Sequence, residues 1–472
     1  MNKTYKVVRS LSRGVVVTSE KASSRQGKVL KTIAAATLTA MAVGSAMAAD
    51  VDSNLSIANT TFTISGTTTG GYLTVKADDP NKVRKADNTA WVNGDTLQNA
   101  KDKSFTLDKG TVVIDSVEVN HSVKGAGTIQ LISRNGVTSQ FNTNQAMLGD
   151  SGDIVVSFSS VAGSALTGLS GGIEATKEAF TLGSKGSAGA EAHTVTLDVA
   201  ENGNAHIDSH GDLILANVVV QNKGGLLELN ARNDASKEIR VQSDLGPEAS
   251  GAQTVFGSKT TIDGANVVAD NILLAKDKAT TEEMKGYSKV FKYVSGANVA
   301  VANGGLLEAT TKLDVNAGRT LDINATAGTS PAGQLKAQEL NVNGTVNMHG
   351  SAEINTVNAL SGSQVAFDGQ SKIKNAVVGK SGTLTLGDNA SSSAYVELGS
   401  LSIDEETSSG AGDGGQVHLA KGIVRTTSDQ LFVKDPSKSG IESIGNFKEG
   451  ISNTSTTVGA LFLRLTDSAF TY

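Results

Sequence analysis

The stretch Val346-Asn347-Met348 recurs as Val365-Ala366-Phe367 and again as Leu384-Thr385-Leu386, each 19 residues after the one before. In each run two apolar residues flank a small or polar one, which is the period-two pattern of a half-buried strand. One coil of a parallel β-solenoid takes about 20 residues, so equivalent residues of stacked coils lie above one another. The spacing predicts an all-β chain folded as a right-handed parallel β-helix. The alternative is an antiparallel sandwich whose strands recur at this spacing by chance.

Further apolar pairs with the same separation extend this pattern. The pairs are Leu321 and Leu340, Ile323 and Val342, Ile354 and Ile373, and Val377 and Val396. We expect the interior ladder of the solenoid to be formed by Leu321, Ile323, Leu340, Val342, Val346, Met348, Ile354, Val365, Phe367, Ile373, Leu384 and Leu386. The register is imperfect, because the same step takes Val342 to Ser361 and Leu386 to Glu405.

The composition suits many short strands joined by tight turns. The 472 residues include 52 Gly, 4 Pro and no Cys, and only 4% are aromatic. The absence of cysteine excludes a catalytic thiol, a Cys-ligated zinc and an iron–sulfur cluster, and no other metal or cofactor is predicted. Residues 1–48 hold 8 Lys and Arg and 1 Glu, which leaves 33 basic and 46 acidic residues and a formal charge of −13. An acidic surface argues against nucleic acid or anionic lipid as the partner.

The N-terminal region has the pattern of a secretory signal peptide. An apolar run over residues 32–44 follows several basic residues and precedes Ala46-Met47-Ala48, a small-x-small cleavage site. We expect cleavage between Ala48 and Ala49. The apolar run is too short to span a membrane, and no transmembrane segment is predicted in the mature chain.

A second, basic module precedes this signal. It consists of Met1-Asn2-Lys3-Thr4-Tyr5-Lys6-Val7-Val8-Arg9 followed by Val15-Val16-Val17-Thr18-Ser19-Glu20. The module resembles the extended signal peptide region of autotransporters, the type V secretion proteins of Gram-negative bacteria. An aromatic residue common near its ninth or tenth position is replaced here by Arg9 and Ser10. The resemblance implies export through the Sec translocon and the outer-membrane assembly machinery to the outer membrane, cell surface or extracellular space.

Four segments are predicted along the chain. Residues 1–48 form the extended signal peptide, a disordered or helical region, and residues 49–105 an N-terminal cap with irregular coils. Residues 106–430 form the β-helical passenger, and residues 431–472 its C-terminal end without a complete translocator barrel. Residues 276–293 interrupt the strand pattern, and a short helix and a charged loop fit them equally well.

Two motifs invite a catalytic or metal-binding interpretation. Gly149-Asp150-Ser151-Gly152-Asp153 resembles the nucleophile motif of chymotrypsin-like proteases. Its only upstream histidine in the mature chain is His121, in no matching context, so a turn explains the motif better. His206-Ile207-Asp208-Ser209-His210-Gly211-Asp212 offers two imidazoles and two carboxylates. On a strand and turn they would not converge on a metal, which favours a polar outer face.

Acidic residues on the outer face suggest an enzyme only weakly. Asp198, Asp314 and Asp322 point outward if the neighbouring leucines point inward, and parallel β-helix polysaccharide lyases and hydrolases use clustered acids in such grooves. Arg319 is the only arginine in that stretch. Asp413 lies in a glycine-rich run that superficially resembles a calcium-binding turn, but the run does not repeat, and an inter-coil loop suffices.

The leader, the coil period and the missing cysteines together resemble the passenger of a self-associating, diffuse-adherence type autotransporter. The resemblance implies a non-enzymatic adhesin or autoaggregation factor, built as an extended β-helical rod. Its expected partner is a host-surface glycan or protein, or other copies of itself. The competing class is a secreted β-helix enzyme, either a polysaccharide-degrading or a serine-protease passenger. A trimeric autotransporter adhesin would need heptad segments, which the chain lacks.

Overall fold

The computed structural model describes most of the chain in two separate units, residues 1–49 and 50–472. The described residues are 5–10, 14–19, 49–68, 70–134, 137–161, 171–177, 179–231, 237–274, 298–302, 304–324, 332–387, 394–404, 415–419, 423–426, 431–434, 451–453 and 460–462.

The first unit contains a short β-hairpin. Strands β1 (Tyr5–Ser10) and β2 (Gly14–Ser19) pair antiparallel, with Val7 opposite Val17. The β-branched valines favour this extended backbone. The described residues of this unit include no helix, so the helical signal region predicted above is not shown, and its apolar run lies outside them.

The second unit is an all-β, parallel, solenoid-like fold built from three sheets. The first sheet contains, among the described residues, β3 (Asp50–Val51), β4 (Leu55–Ala58), β5 (Thr61–Thr67), β6 (Tyr72–Ala77), β7 (Val83–Arg84), β8 (Thr96–Gln98), β9 (Ser104–Asp115), β11 (Ser122–Ser133), β14 (Ile154–Ser160), β17 (Val195–Val199) and β20 (Val218–Asn222). The second sheet contains β10 (Glu118–Asn120), β12 (Ser139–Thr143), β15 (Gly171–Ala175), β18 (Asn204–Ser209), β21 (Leu226–Ala231), β23 (Gln253–Phe256), β25 (Asn266–Leu274), β27 (Leu306–Val315), β29 (Gln334–Val342), β31 (Ser351–Ala359), β33 (Gln370–Val378), β35 (Tyr395–Asp404), β37 (Ile423–Thr426), β38 (Leu431–Lys434) and β40 (Ala460–Phe462).

The third sheet runs alongside the second. It contains β13 (Met147–Leu148), β16 (Ala179–Leu182), β19 (Asp212–Leu215), β22 (Ile239–Val241), β24 (Thr260–Ile262), β26 (Asn298–Val301), β28 (Thr320–Ile323), β30 (Thr345–Met348), β32 (Gln364–Phe367), β34 (Thr383–Leu386), β36 (Gln416–Leu419) and β39 (Ile451–Asn453). In the second and third sheets neighbouring strands are parallel and follow one another along the chain, so each coil contributes one strand to each sheet.

The residues of the predicted interior ladder are buried, each at most 2% exposed. Val346 pairs with Val365 and Val365 with Leu384, each at the 19-residue step, as does Ile354 with Ile373. Burying a Val, Leu or Ile side chain contributes about 1.5–3 kcal/mol, and stacked coils share one continuous apolar interior.

Other 19-residue pairs do not match the observed register. Leu321 pairs with Val346 in the third sheet, whereas Leu340 lies in the second sheet. Ile323 likewise pairs with Met348, and Val377 pairs with Ser402. The coil that follows Leu321 is 25 residues long, so a constant step fails there, because register follows backbone pairing rather than sequence distance.

The first sheet ends at β20, and its position is then taken over by the second sheet. Leu245 forms a parallel bridge to Val267 in the first half of β25. In β25 and β27 two paired segments are separated by a shift of register after Ala269. From β27 onward each long strand shows two consecutive outward residues at this bend, as at Gln338 and Glu339. One long bent strand thus occupies the place of two shorter ones.

The N-terminal part of the second unit is an antiparallel cap. β5 pairs antiparallel with β6, and β6 with β8, before β9 begins the parallel stack. Beneath it Trp91 packs edge-on against Phe62, with ring centroids 5.1 Å apart, and Phe105 stacks on His121 at 4.3 Å. Burial lowers the pKa of His121 to about 4, so the imidazole is neutral near pH 7. An aromatic cluster therefore closes this end of the core.

Glycines form a second kind of ladder, at the corner that leads into the long strands. Gly333, Gly350 and Gly369 stand immediately before β29, β31 and β33. The carbonyl of each accepts the backbone N–H of the first residue of the next coil's strand, as in Ser351 N to Gly333 O at 3.0 Å. A Cβ on Gly369 would overlap the carbonyl oxygen of Gly350, so the corner admits no side chain.

We predict that Gly369→Ala lowers the free energy of unfolding by about 2–3 kcal/mol, because the added methyl meets backbone that no rotamer change can relieve. Urea unfolding followed by circular dichroism measures the change. Gly66→Ala is the matched control, since the nearest heavy atom to its added Cβ is Thr74 Oγ1 at 4.0 Å. Equal unfolding midpoints for the two variants would contradict the close-packed corner.

Candidate functional site

Polar side chains are buried side by side on the second sheet. In β12, β15, β18 and β21 nearly every residue is buried, so both faces of these strands are covered. One face belongs to the apolar core. The other face forms what we call the polar patch: Gln140, Asn142, Glu174, His206, Asp208, Glu228 and Asn230. Each of these residues is at most 4% exposed, which is unusual for ionisable side chains and marks the patch as the candidate site.

Parallel register arranges the patch in two columns. One column aligns Gln140, Gly172, His206 and Glu228, and the other aligns Asn142, Glu174, Asp208 and Asn230. Neighbouring strands lie about 4.8 Å apart, so three carboxylates fall on three successive strands. Gly172 contributes no side chain, which leaves its rung of the first column open.

Hydrogen bonds tie the patch together. The His206 imidazole contacts the Asp208 carboxylate through Nε2, and His210 Nε2 lies 2.9 Å from Glu174 Oε1. Asn142 Nδ2 donates to Asn120 Oδ1 at 3.0 Å and also to Glu118. Buried ionisable groups need such partners, because an unpaired charge in a low-dielectric interior is costly. A histidine oriented by a carboxylate can move protons, so acid–base chemistry is what this arrangement could support.

The sequence interpretation of residues 206–212 was only partly right about geometry. His206 and His210 do not converge, since each contacts a different carboxylate. His206 and Asp208 are fully buried, however, and do not lie on a solvated outer face. In the part of the chain that the structure describes, no group of three His, Asp or Glu residues is placed to hold a metal ion. Sequence reasoning missed Glu174 and Glu228, because only the coil register brings them beside this motif.

A second pair of acids lies where the two sheets merge. Burial raises the pKa of Glu248 to about 7, with a further contribution from the Asp270 charge and an opposing hydrogen bond from Thr254. Thr254 Oγ1 donates to Glu248 Oε1 at 2.6 Å. Asp270 occupies the bend of β25 and accepts the Gly251 N–H at 2.6 Å. Although burial raises the pKa of Asp270, hydrogen bonds led by that from Thr311 outweigh it and lower the value.

Ser151 lies on an exposed turn. Its hydroxyl accepts the Gly125 N–H at 3.0 Å and lies 2.9 Å from Asp150 Oδ1. Neither partner is a histidine, so the described contacts of Ser151 are those of a turn residue and do not form a base–nucleophile pair.

The other predicted acids lie apart from the polar patch. Asp198 in β17 pairs with Lys223 at 2.6 Å. Asp314 accepts from Asn341 at 2.9 Å, and Asp322 accepts from Asn347 at 2.6 Å, each from the next coil. These three aspartates belong to separate sheets or columns, so the structure does not bring them together into one acidic groove.

Several sequence-predicted positions fall outside the described residues. Ala46, Ala48, Asp413 and residues 276–293 are among them, whereas Ala49 is described and exposed at the end of the first unit. Among the described residues, no helix is both long and apolar enough to cross a membrane.

Comparison with known proteins adds no identification. No protein-family model, no curated protein and no solved structure matches the chain. The class of the protein is therefore defined by its own fold: an all-β, parallel, solenoid-like protein.

We predict that Glu248→Gln removes a loss of stability that the unmodified chain shows between about pH 4.5 and pH 7. The folded pKa of Glu248 is raised above its unfolded value, so the folded state holds the proton longer and loses stability as pH rises through this window. Near pH 8 the variant should be more stable, on the order of 2 kcal/mol. Thermal unfolding of both chains at pH 4, 6 and 8 measures this. Parallel pH profiles would show that Glu248 ionises normally.

Proposed function

We infer that this chain is the passenger of a type V secretion protein and acts at the bacterial cell surface as an adhesin and aggregation factor, without enzymatic activity. In this proposal the solenoid is a right-handed β-helix forming an extended rod. The N-terminal module directs export through the Sec translocon and the outer-membrane assembly machinery. The proposed partners are host-surface glycans or proteins, or other copies of the chain.

One observation carries this proposal: the regular parallel stack presents polar side chains outward in ladders along many consecutive coils. Asn358 donates to Asn341, which donates to Asp314, so one outer column links three coils. A stacked surface of this kind offers repeated, weak contacts over a long face, which is what attachment between surfaces requires. The cavities and clefts typical of small-molecule enzymes are not needed for such contacts.

The physics of export supports the same proposal. A chain without cysteine forms no disulfide that would obstruct threading through a pore. Each coil that docks on the stack buries several apolar side chains, as Val365 and Phe367 do in β32. Coil-by-coil folding on the far side of a membrane would therefore favour outward movement.

We expect an inert bacterium that displays the chain to clump or to attach to cultured host cells. Val365→Asp should abolish this behaviour, because it places a carboxylate in the core at a residue that is 1% exposed. Ala366→Asp is the matched control, since the neighbouring residue of the same strand is only half-buried and faces outward. Clumping and attachment are scored by sedimentation and microscopy, and the absence of both for the unmodified chain would contradict the proposal.

The polar patch is the observation that favours the alternative, a secreted β-helix enzyme. We expect the displayed chain to cleave no bond in a screen of polysaccharides and proteins. Cleavage that is lost in Asp208→Asn would assign an enzyme instead. Asp368→Asn is the control, because His349 Nδ1 contacts Asp368 Oδ1 at 2.9 Å in a comparable pair outside the patch.

A further inference from the structure

Charges alternate in sign along one outer column of the second sheet. Backbone pairing aligns Glu308 with Lys336, Lys336 with Glu353, Glu353 with Lys372, Lys372 with Glu397, and Glu397 with Arg425. We call these six positions the charge ladder. They come from six consecutive coils and lie on β27, β29, β31, β33, β35 and β37.

The ladder faces outward. Lys336, Glu353 and Lys372 are exposed, and Glu308 and Glu397 are half-buried. Residues on either side in these strands, such as Leu335 and Ala337, point into the core, so the ladder projects from a face held rigid by buried neighbours. Opposite charges on adjacent rungs also attract within one chain, which makes the alternation compatible with a stable stack.

The neighbouring columns are polar and mostly uncharged. Gln334, Ser351 and Gln370 form the column on one side. On the other side Gln338 and Asn355 hydrogen-bond to one another across the bend. A groove of about 340 Å3 lies between this bend and the ladder, lined by residues of three coils that include Glu308, Lys336 and Glu353. The face therefore combines charge with hydrogen-bonding groups and offers no apolar surface.

We propose that the charge ladder binds a second copy of this chain in antiparallel orientation, which names the partner within the adhesive function proposed above. Rungs of the ladder are spaced by the strand separation, about 4.8 Å, whereas side chains on one face of a single extended strand are spaced about 6.6 Å apart. Another stack of parallel strands is thus the surface whose spacing matches the ladder, and a second copy provides it.

Orientation follows from the signs of the charges. A two-fold axis between the Glu353 and Lys372 rungs places Glu353 opposite Lys372, Lys336 opposite Glu397, and Glu308 opposite Arg425, all twice over. Every facing pair is then attractive. A parallel copy in register would instead place each charge against its own kind, which is strongly unfavourable. Because the antiparallel arrangement is self-complementary, it closes on two copies.

The size of the face explains why many copies must act together. Six rungs span roughly 24 Å, far less than the surface that a stable isolated dimer buries. A single contact is therefore weak, and screening by salt weakens it further. Two surfaces that each carry many copies would hold together through effective concentration, without any single strong contact.

Beads coated with the purified chain test the pairing apart from any activity at a cell surface. One variant, Glu353→Lys with Glu397→Lys, and another, Lys336→Glu with Lys372→Glu, each replace attractive facing pairs by like charges. We expect each variant to clump about tenfold less than the unmodified chain, and a mixture of the two, in different colours, to form mixed clumps again. Clumping of the unmodified chain should fall as salt rises.

Matched controls place equal charge changes off the ladder. Lys76→Glu with Lys124→Glu and Glu191→Lys with Glu201→Lys alter exposed residues and should clump like the unmodified chain. Circular dichroism verifies that every variant is folded. Ladder variants that clump normally, or a mixture that fails to restore clumping, would overturn the pairing, as would unmodified beads that stay dispersed. Failure of cells displaying the chain to clump or attach would instead contradict the proposed function.

Discussion

Hydrogen bonding between the backbones of successive coils is the constraint on which the rest of this structure depends. Thr383 N donates to Ser363 O, and Gln370 N donates to Gly350 O, each at 2.9 Å, so every strand is positioned by the one before it. The corners must approach closely for these bonds to form, which is why Gly333, Gly350 and Gly369 carry no side chain there. Stacking then aligns equivalent residues, and the apolar columns of the interior are a consequence of that alignment.

The same alignment governs the polar residues. It places His206, Asp208 and Glu228 side by side on neighbouring strands, where their burial requires mutual hydrogen bonds or partners. It also orders Glu and Lys residues 17–28 positions apart into a ladder of alternating sign. The two groups differ in exposure: a buried polar cluster suits proton chemistry or a structural role, whereas an exposed ladder suits recognition of another surface.

Sequence periodicity predicted the fold class well, because period-two alternation reports which residues face a core regardless of distant contacts. It predicted the register poorly where coils vary in length. Leu321 and Leu340 share a 19-residue spacing but lie in different sheets, since the intervening coil is longer than its neighbours. The candidate site was harder still to predict. The His206–Asp212 motif is visible in the sequence, but Glu174 lies 32 residues before His206 and joins it only through strand pairing.

By itself the sequence determined that the chain is all-β, with coils of about 20 residues, because alternation and turn residues are local properties that each segment carries without help from the others. The tertiary structure alone decided which residues of different coils meet. Local chemistry specifies which way a side chain faces, but coil length and backbone pairing specify its neighbours. The buried company of Asp208 and the alternating signs of the charge ladder therefore exist only in the stacked coils.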